Sequence, residues 1–253
     1  MAYCFALRTK LAIHLRNKIC HDLLETNKLL RLLKLRLVEG TSMAYRIVIL
    51  TKQAEAPFLV QFIRTENPEL EVLAALTEAE LRQQIGEQGA DTRLISFNNH
   101  IIIPKDILDA LGPVPYNIHP GPPEYPGSYP VVFALRDYAR KYGVTAHEIA
   151  VKVDAGPIVY VEHTAIAPHI CIKQLTDLAY TMAVTAFSFI AKHCANNEQP
   201  IPHSKHQWSG IKSTRKSYQE LCQVPANASS EDIEQIRKVC GDDLVLDATI
   251  KVA

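Results

Sequence analysis

Between Tyr45 and Phe97 the chain alternates short apolar runs with segments of helical period, and that alternation restricts the fold more than any other feature. "YRIVIL" (Tyr45 to Leu50), "LEVLAAL" (Leu70 to Leu76) and "TRLISF" (Thr92 to Phe97) read as buried strands, while "EAPFLVQFIRTEN" and "EAELRQQIGEQG" read as helices between them. Strands joined in this way require right-handed crossovers and cover on both sides. The expected fold is therefore α/β, a Rossmann-like, mostly parallel twisted sheet with helices on both faces. Ligands of such sheets bind beyond the carboxyl ends of the strands. Leu50 leads into "TKQAEAP" rather than G-x-G-x-x-G, and G-x-x-x-x-G-K occurs nowhere, which argues against a dinucleotide or P-loop site.

The 253 residues, 47% hydrophobic and 21% charged, describe an ordinary globular chain and exclude collagen-like, disordered and disulfide-scaffold classes. A formal net charge of zero offers no footprint for nucleic acid or an anionic membrane surface, so neither is expected as a partner. The most apolar stretch, Ala183 to Ala191, is short and broken by Thr185 and Ser188, so no membrane span is expected. Six cysteines are scattered without a C-x-x-C pair or ligand spacing to His; the expectation is free buried thiols, a reducing cytoplasmic setting and no metal.

Residues 1–42 are a different kind of sequence, with eight Lys or Arg against three acids, a net of +5 that leaves −5 for the remainder. Leu11, Leu15, Ile19, Leu23, Leu30, Leu33 and Leu37 recur at helical spacings, as in a basic amphipathic helix. An appended helix, an organellar presequence and upstream sequence outside the native domain all fit. The repeat of "MAY" at Met1 and Met43, just before the first strand, makes Met43 an alternative start. The expected organisation is a helical extension over 1–42, a catalytic domain over 43–200 and a tail over 201–253 with a short helix packing on that domain.

Seven of the fifteen prolines fall between Pro113 and Pro130, around "YNIHPGPPEYPGSYP". Proline fixes φ and lacks a backbone donor, so this is a stiffened loop beyond a few strand residues. In "YNIH", Asn117 and His119 sit two apart and share one face if extended. An amide that can donate to an oxyanion and an imidazole that can move a proton suit acyl transfer. The carboxylate nearest in sequence is Glu124; further on, Asp154 ends an alternating run (His147, Ile149, Val151, Val153) before a Gly turn. Singly, each of these residues is more often turn or packing chemistry; the case rests on the combination.

"FNNHIIIPKDIL", "YNIHP" and "GVTAHEIAVKVDAGPI", in this order and spacing, resemble the formyltransferase family that uses 10-formyltetrahydrofolate. That family includes glycinamide ribonucleotide, methionyl-tRNA and sugar-amine formyltransferases and formyltetrahydrofolate deformylase. The resemblance covers roughly Tyr45 to Arg215 and implies the formyltransferase fold, 10-formyltetrahydrofolate as formyl donor and a small-molecule amine as acceptor. By residue match it implies that Asn117, His119 and Asp154 are catalytic. Asn117 and protonated His119 would stabilise the oxyanion formed when the amine attacks the formyl carbon, and Asp154 would position His119 and help move a proton. The donor's pterin ring is expected on backbone groups of Ile101, Ile103 and Pro104 and of Ala150, Val151 and Val153.

Three departures bear on the acceptor. Most members follow the His with Pro-Ser-Leu-Leu-Pro, whereas Pro120, Gly121, Pro122, Pro123, Glu124, Tyr125, Pro126 and Gly127 follow it here, reshaping the loop beside the formyl group. Asn98 and Asn99 stand where relatives often have Tyr-Gly or Phe-Gly, and are expected to cap a strand end rather than add polar contacts; His100 is expected to be structural. The stretch after Leu221 is short and helical for the C-terminal barrel usual in tRNA formylation, and "TRKSYQEL" looks more like the sugar-amine branch. The expected function is formyl transfer to a small amine, an amino sugar leading; the alternatives are a deformylase using water and a non-catalytic folate-binding scaffold. A homo-oligomer stays open.

After Asp154, "PIVYVEHTAI" reads as a strand and "IKQLTDLAYTMAVTAFSFIAKHCA" as a long helix apolar around most of its circumference, as expected for an element buried against the sheet. In the tail, Lys205, Lys212, Arg215, Lys216 and Trp208 read as a solvated loop with one anchoring Trp, ahead of a phosphate or nucleotide contact. Ser229 or Ser230 is expected to cap a last helix through Cys240.

Overall fold

An apolar strand needs cover on both sides because its successive residues face opposite ways. The computed structural model, which describes residues 46–224 and 227–246, meets that demand with two clusters; the expected extension over 1–42 lies outside the described residues. In β1 (Arg46–Leu50), Ile47 and Ile49 join one cluster while Val48 and Leu50 join the other. β3 (Thr92–Phe97) divides likewise, Ile95 and Phe97 against Leu94. With β2 (Val72–Ala75), β4 (Tyr116–His119), β5 (Lys141–Glu148) and β6 (Ile158–Ala165) they form a six-stranded sheet ordered β2-β1-β3-β4-β5-β6. β1 pairs in parallel with β2 and β3, as does β3 with β4; β4–β5 and β5–β6 are antiparallel.

The first cluster is closed by α1 (Ala56–Glu66), through Phe62 and Ile63, and by the long α5 (Ile172–Asn196). The second is closed by α2 (Glu78–Ile85) and α3 (Lys105–Ala110), through Leu81, Ile85 and Ile107. α2 starts where Thr77 accepts from the Glu80 N–H while the Glu80 carboxylate accepts from the Leu76 N–H 2.7 Å away. α4 (Pro130–Arg136) comes after the proline loop, and α6 (Arg215–Leu221) and α7 (Ser230–Cys240) lie in the tail, the latter capped by Ser229 as expected. A two-residue parallel pair, β7 (Gln223–Val224) and β8 (Val245–Leu246), and 3-10 helices at Gly86–Asp91 and Gly241–Asp243 complete the described elements.

α5 is buried against the sheet as expected, along a stripe that includes Leu175, Ala179, Met182, Ala186, Phe187, Ile190 and Cys194. On its outer side Thr176, Thr181 and Thr185 hydroxyls return to carbonyls one turn back. Two expectations need correction. The strand leading to Asp154 stops at Glu148, because β6 starts at Ile158 and offers nothing to pair with residues 149–157. Cys222 and Cys240 are not free thiols but a disulfide, with Cα atoms 5.7 Å apart, packed against Val132 of α4; Cys194 is a buried free thiol and Cys171 an exposed one. Among the described residues no helix is long and apolar enough to cross a membrane.

Arg93 is fully buried in β3, where "TRLISF" reads simply as a strand. Its guanidinium donates to the Asn197 carbonyl (3.1 Å) and to that of Glu198, just past α5. Beside it the Ile201 N–H donates to the Tyr116 hydroxyl at 2.8 Å, so both sets of bonds fix the chain as it leaves α5. Replacing Arg93 by Leu strips two carbonyls of a charged donor, and should lower unfolding free energy by about 2 to 4 kcal/mol in urea titrations without altering the folded spectrum.

Candidate active site

The register of the sheet sets three polar residues in one row: Ser96 of β3 lies opposite Asn117 of β4, which lies opposite His147 of β5. Their chain neighbours Phe97, Ile118 and Ala146 face the first cluster, so this row looks the other way. Ser96 Oγ is 2.7 Å from Asn117 Oδ1, and Asn117 Nδ2 is 3.1 Å from His147 Nε2. One step along the same face stand His119 and, opposite it, Thr145.

The loop after His119 is held by its carbonyl groups. The Tyr142 hydroxyl donates to Pro120 (2.7 Å) and the Thr145 hydroxyl to Gly121 (2.8 Å). The Tyr125 carbonyl lies 2.9 Å from His119 Nε2, which makes Nε2–H the donor. Gly121 is needed for this approach, since a Cβ there would lie 2.7 Å from His119 Nε2 and 2.6 Å from Pro130. Glu124, the carboxylate nearest in sequence, turns away to Lys141 (3.2 Å) and His163 (3.3 Å).

Asp154 reaches the row from the 149–157 loop. The Glu148 N–H donates to the Pro157 carbonyl at 2.9 Å to close that loop, and Gly156 lets the strands approach, because a Cβ would lie 1.9 Å from the Glu148 oxygen. Asp154 adopts a left-handed φ of 45°, which short polar side chains tolerate. Its Oδ2 accepts from the Gly127 N–H (2.7 Å) and lies 3.5 Å from His119 Nδ1; its Oδ1 lies 3.3 Å from His147 Nε2. Asn117, His119 and Asp154 thus converge, with His147 between Asn117 and Asp154. His147 stands in the "GVTAHEI" stretch and in an alternating run, but its meeting with Asn117 depends on the register between β4 and β5.

Residues 203–213 lie over this face. Trp208 sets its ring edge-on to His119 (5.8 Å) and His147 (5.1 Å) and donates Nε1–H to the Gly156 carbonyl. Lys212 donates to the Val153 carbonyl (2.8 Å), and Ser209 and Ser213 N–H groups donate to Pro123 and Pro126. Trp208 is the anchor expected from the sequence, and what it anchors is the cover of the polar row. His119, His147 and Asp154 are buried beneath it.

Of the residues expected at the pterin ring, Ile101 and Ile103 pack with Ile149 on the second cluster, so their side chains belong to the core. Pro104 precedes α3, while Val151 and Val153 are exposed. Among the described residues no hydrogen bond occupies the backbone groups of Ile103, Ala150 or Val151. Asn99 caps the end of β1, donating to the Leu50 carbonyl at 3.1 Å, and also reaches Ser96 Oγ at 2.8 Å.

Burial pushes His119 below the ordinary imidazole value, against the opposing pull of Asp154 and the Tyr125 carbonyl. Burial would raise the Asp154 carboxyl, but its contact with His147, the charge of the two imidazoles and the Gly127 N–H outweigh it and hold the group at about 2. Both shifts oppose acid. The stability due to Asp154 is complete above pH 3.8 and disappears as pH falls toward about 2, on the order of 2 kcal/mol, and that due to His119 disappears below pH 6.5. Unfolding midpoints measured against pH should fall on acidification, and Asp154→Asn should flatten the part of the fall below pH 3.8.

The formyl transferase family model matches residues 46–188, more than half of the chain. Among curated proteins none matches. A sugar N-formyltransferase from Shewanella superposes with a TM-score of 0.62 at 13% identity, over 78% of this chain and 89% of its own. A 4-N formyltransferase from Francisella tularensis gives 0.60 at 13% identity, over 79% and 88%. An N-formyltransferase from Helicobacter canadensis, in complex with folinic acid and dTDP-3-aminofucose, gives 0.56 at 14% identity, over 77% and 80%. At these identities the likeness is one of fold.

Proposed function

This chain belongs to the formyl transferase family, and we propose that it transfers a formyl group from 10-formyltetrahydrofolate to the amine of a small acceptor, an amino sugar carried on a nucleotide. The observation that carries this reading is the convergence of Asn117, His119 and Asp154 on one face of the sheet, with His119 Nδ1 3.5 Å from Asp154. The choice of acceptor leans on the Helicobacter canadensis neighbour, whose complex holds both a folate and a nucleotide-linked amino sugar.

The folate supplies an activated formyl carbon. The acceptor nitrogen bonds to that carbon as the carbon's bond to the folate nitrogen breaks, and the proton shed by the amine ends on the folate nitrogen, giving a formamide and tetrahydrofolate. Asn117 donates an amide hydrogen to the oxygen that becomes negative. Protonated His119 offers its Nε2–H to the same oxygen while its Nδ1–H faces Asp154 Oδ2, and the carboxylate stabilises the imidazolium and helps move the amine's proton. For His119 to aim Nε2–H at that oxygen, the Tyr125 carbonyl must release it, so the proline loop is the element that substrate has to move. The open backbone groups of Ile103, Ala150 and Val151 fit a heterocycle edge, with the Ile101 and Ile103 side chains fixing the segment from below. In this reading 43–200 carries catalysis and 201–253 is a tail whose residues 203–213 cover the site.

Purified protein given 10-formyltetrahydrofolate and a panel of nucleotide-linked amino sugars, free amino sugars and other small amines should release tetrahydrofolate only when the right acceptor is present. Asn117→Ala should cut kcat by about 10² to 10³ with the fold intact, as loss of an oxyanion donor does. Release without any acceptor would assign a deformylase instead, and full turnover in folded Asn117→Ala and Asp154→Ala would overturn the site.

A further inference from the structure

Asn117 stands between two partners that ask opposite things of it. A carboxamide has one accepting and one donating end, and which end faces which neighbour is set by the surrounding network. Toward β5 it meets His147 Nε2, and toward β3 it meets Ser96 Oγ. His147 Nε2 is itself contested, because Asp154 Oδ1 lies 3.3 Å from it and favours a hydrogen there.

Two sets of bonds bear on that contest: the Glu148 carbonyl, 2.8 Å from His147 Nδ1, calls for a hydrogen on Nδ1, and the β3 side of the row sets the Asn117 amide to match. Asn99 Oδ1 accepts from the Ile101 N–H (2.9 Å) and its Nδ2 donates to the Leu50 carbonyl (3.1 Å), so two backbone groups fix its orientation. Its Nδ2 then also donates to Ser96 Oγ, 2.8 Å away. Ser96, already an acceptor there, directs its single hydrogen to Asn117 Oδ1. Asn117 is left with Nδ2 toward His147, whose Nε2 accepts while its Nδ1–H donates to the Glu148 carbonyl at 2.8 Å.

We propose that Asn99 and Ser96 are positioning residues that hold the Asn117 amide with its N–H end toward β5, and thereby hold His147 as its Nδ1–H tautomer. Calling this catalytic positioning rests on the reading of Asn117 as the oxyanion donor: one Nδ2 hydrogen serves His147, and no acceptor among the described residues takes the second, which stays for substrate. Without the arm, Asn117 can turn its oxygen to His147, and Nε2 takes a hydrogen.

The test reads the tautomer directly. Long-range proton–nitrogen correlation spectra of histidine-labelled protein, with His147 assigned by its absence in His147→Gln, should give the neutral Nδ1–H form in the native chain at mildly alkaline pH. In Ser96→Ala and in Asn99→Ala, which alter the arm from a strand and from a loop, the Nε2–H form should gain a measurable share at the expense of the Nδ1–H bond to the Glu148 carbonyl. A native Nε2–H form overturns the proposal, and a variant that folds with the native tautomer overturns the role of the residue it replaces. In the folate assay both variants should lose about tenfold in kcat with KM for the folate unchanged, a loss smaller than that of deleting the donor. Because the spectra need no substrate, a native protein without folate turnover would defeat the proposed function while the tautomer still judged the arm.

Discussion

The site depends on one register. Asn117 meets Ser96 on one side and His147 on the other only because β4 pairs at those positions with a parallel strand and an antiparallel one at once. A slip of one residue would turn Asn117 and His119 into the apolar cluster and send Ile118 to the polar face. That slip is blocked by burial: Tyr116 and Ile118 are almost wholly inaccessible in the first cluster, and the Tyr116 hydroxyl serves the Ile201 N–H. The apolar side of a four-residue strand thus locates the polar side.

The loop after β4 obeys a second constraint. Proline offers a carbonyl and no N–H, so a proline-rich loop can be tied down mainly through its acceptors. Donors therefore have to come from elsewhere: Tyr142 and Thr145 from β5 to Pro120 and Gly121, Ser209 and Ser213 from the covering segment to Pro123 and Pro126. The His119 to Tyr125 bond belongs to the same pattern. The composition of the loop makes it a surface of acceptors, and the imidazole is one of the donors it captures.

The alternation of β1 to β3 with their helices is legible because parallel strands covered on both sides are continuous apolar runs and their helices carry a 3.6 period. Asn117, His119 and Asp154 are legible through resemblance, and the first two through strand spacing. His147 is visible in an alternating run, yet its meeting with Asn117 is a tertiary register that spacing within β5 cannot reveal. Asn99 reads as a strand cap, which it is; its reach to Ser96 needs three dimensions. Arg93 looks like a lapse in a buried strand, since its carbonyl partners lie more than a hundred residues on. Cys222 and Cys240, 18 apart, fit no motif and meet because α6 and α7 both close on α4.

The cover of the polar row is late in the chain. The last strand of the six-stranded sheet ends at Ala165 and α5 at Asn196, whereas Trp208 and Lys212 come afterwards. A nascent chain therefore has every residue of the row before it has any of the roof. The desolvation of the imidazoles and carboxylate therefore depends on about ten residues that ride on backbone carbonyls rather than on a core of their own.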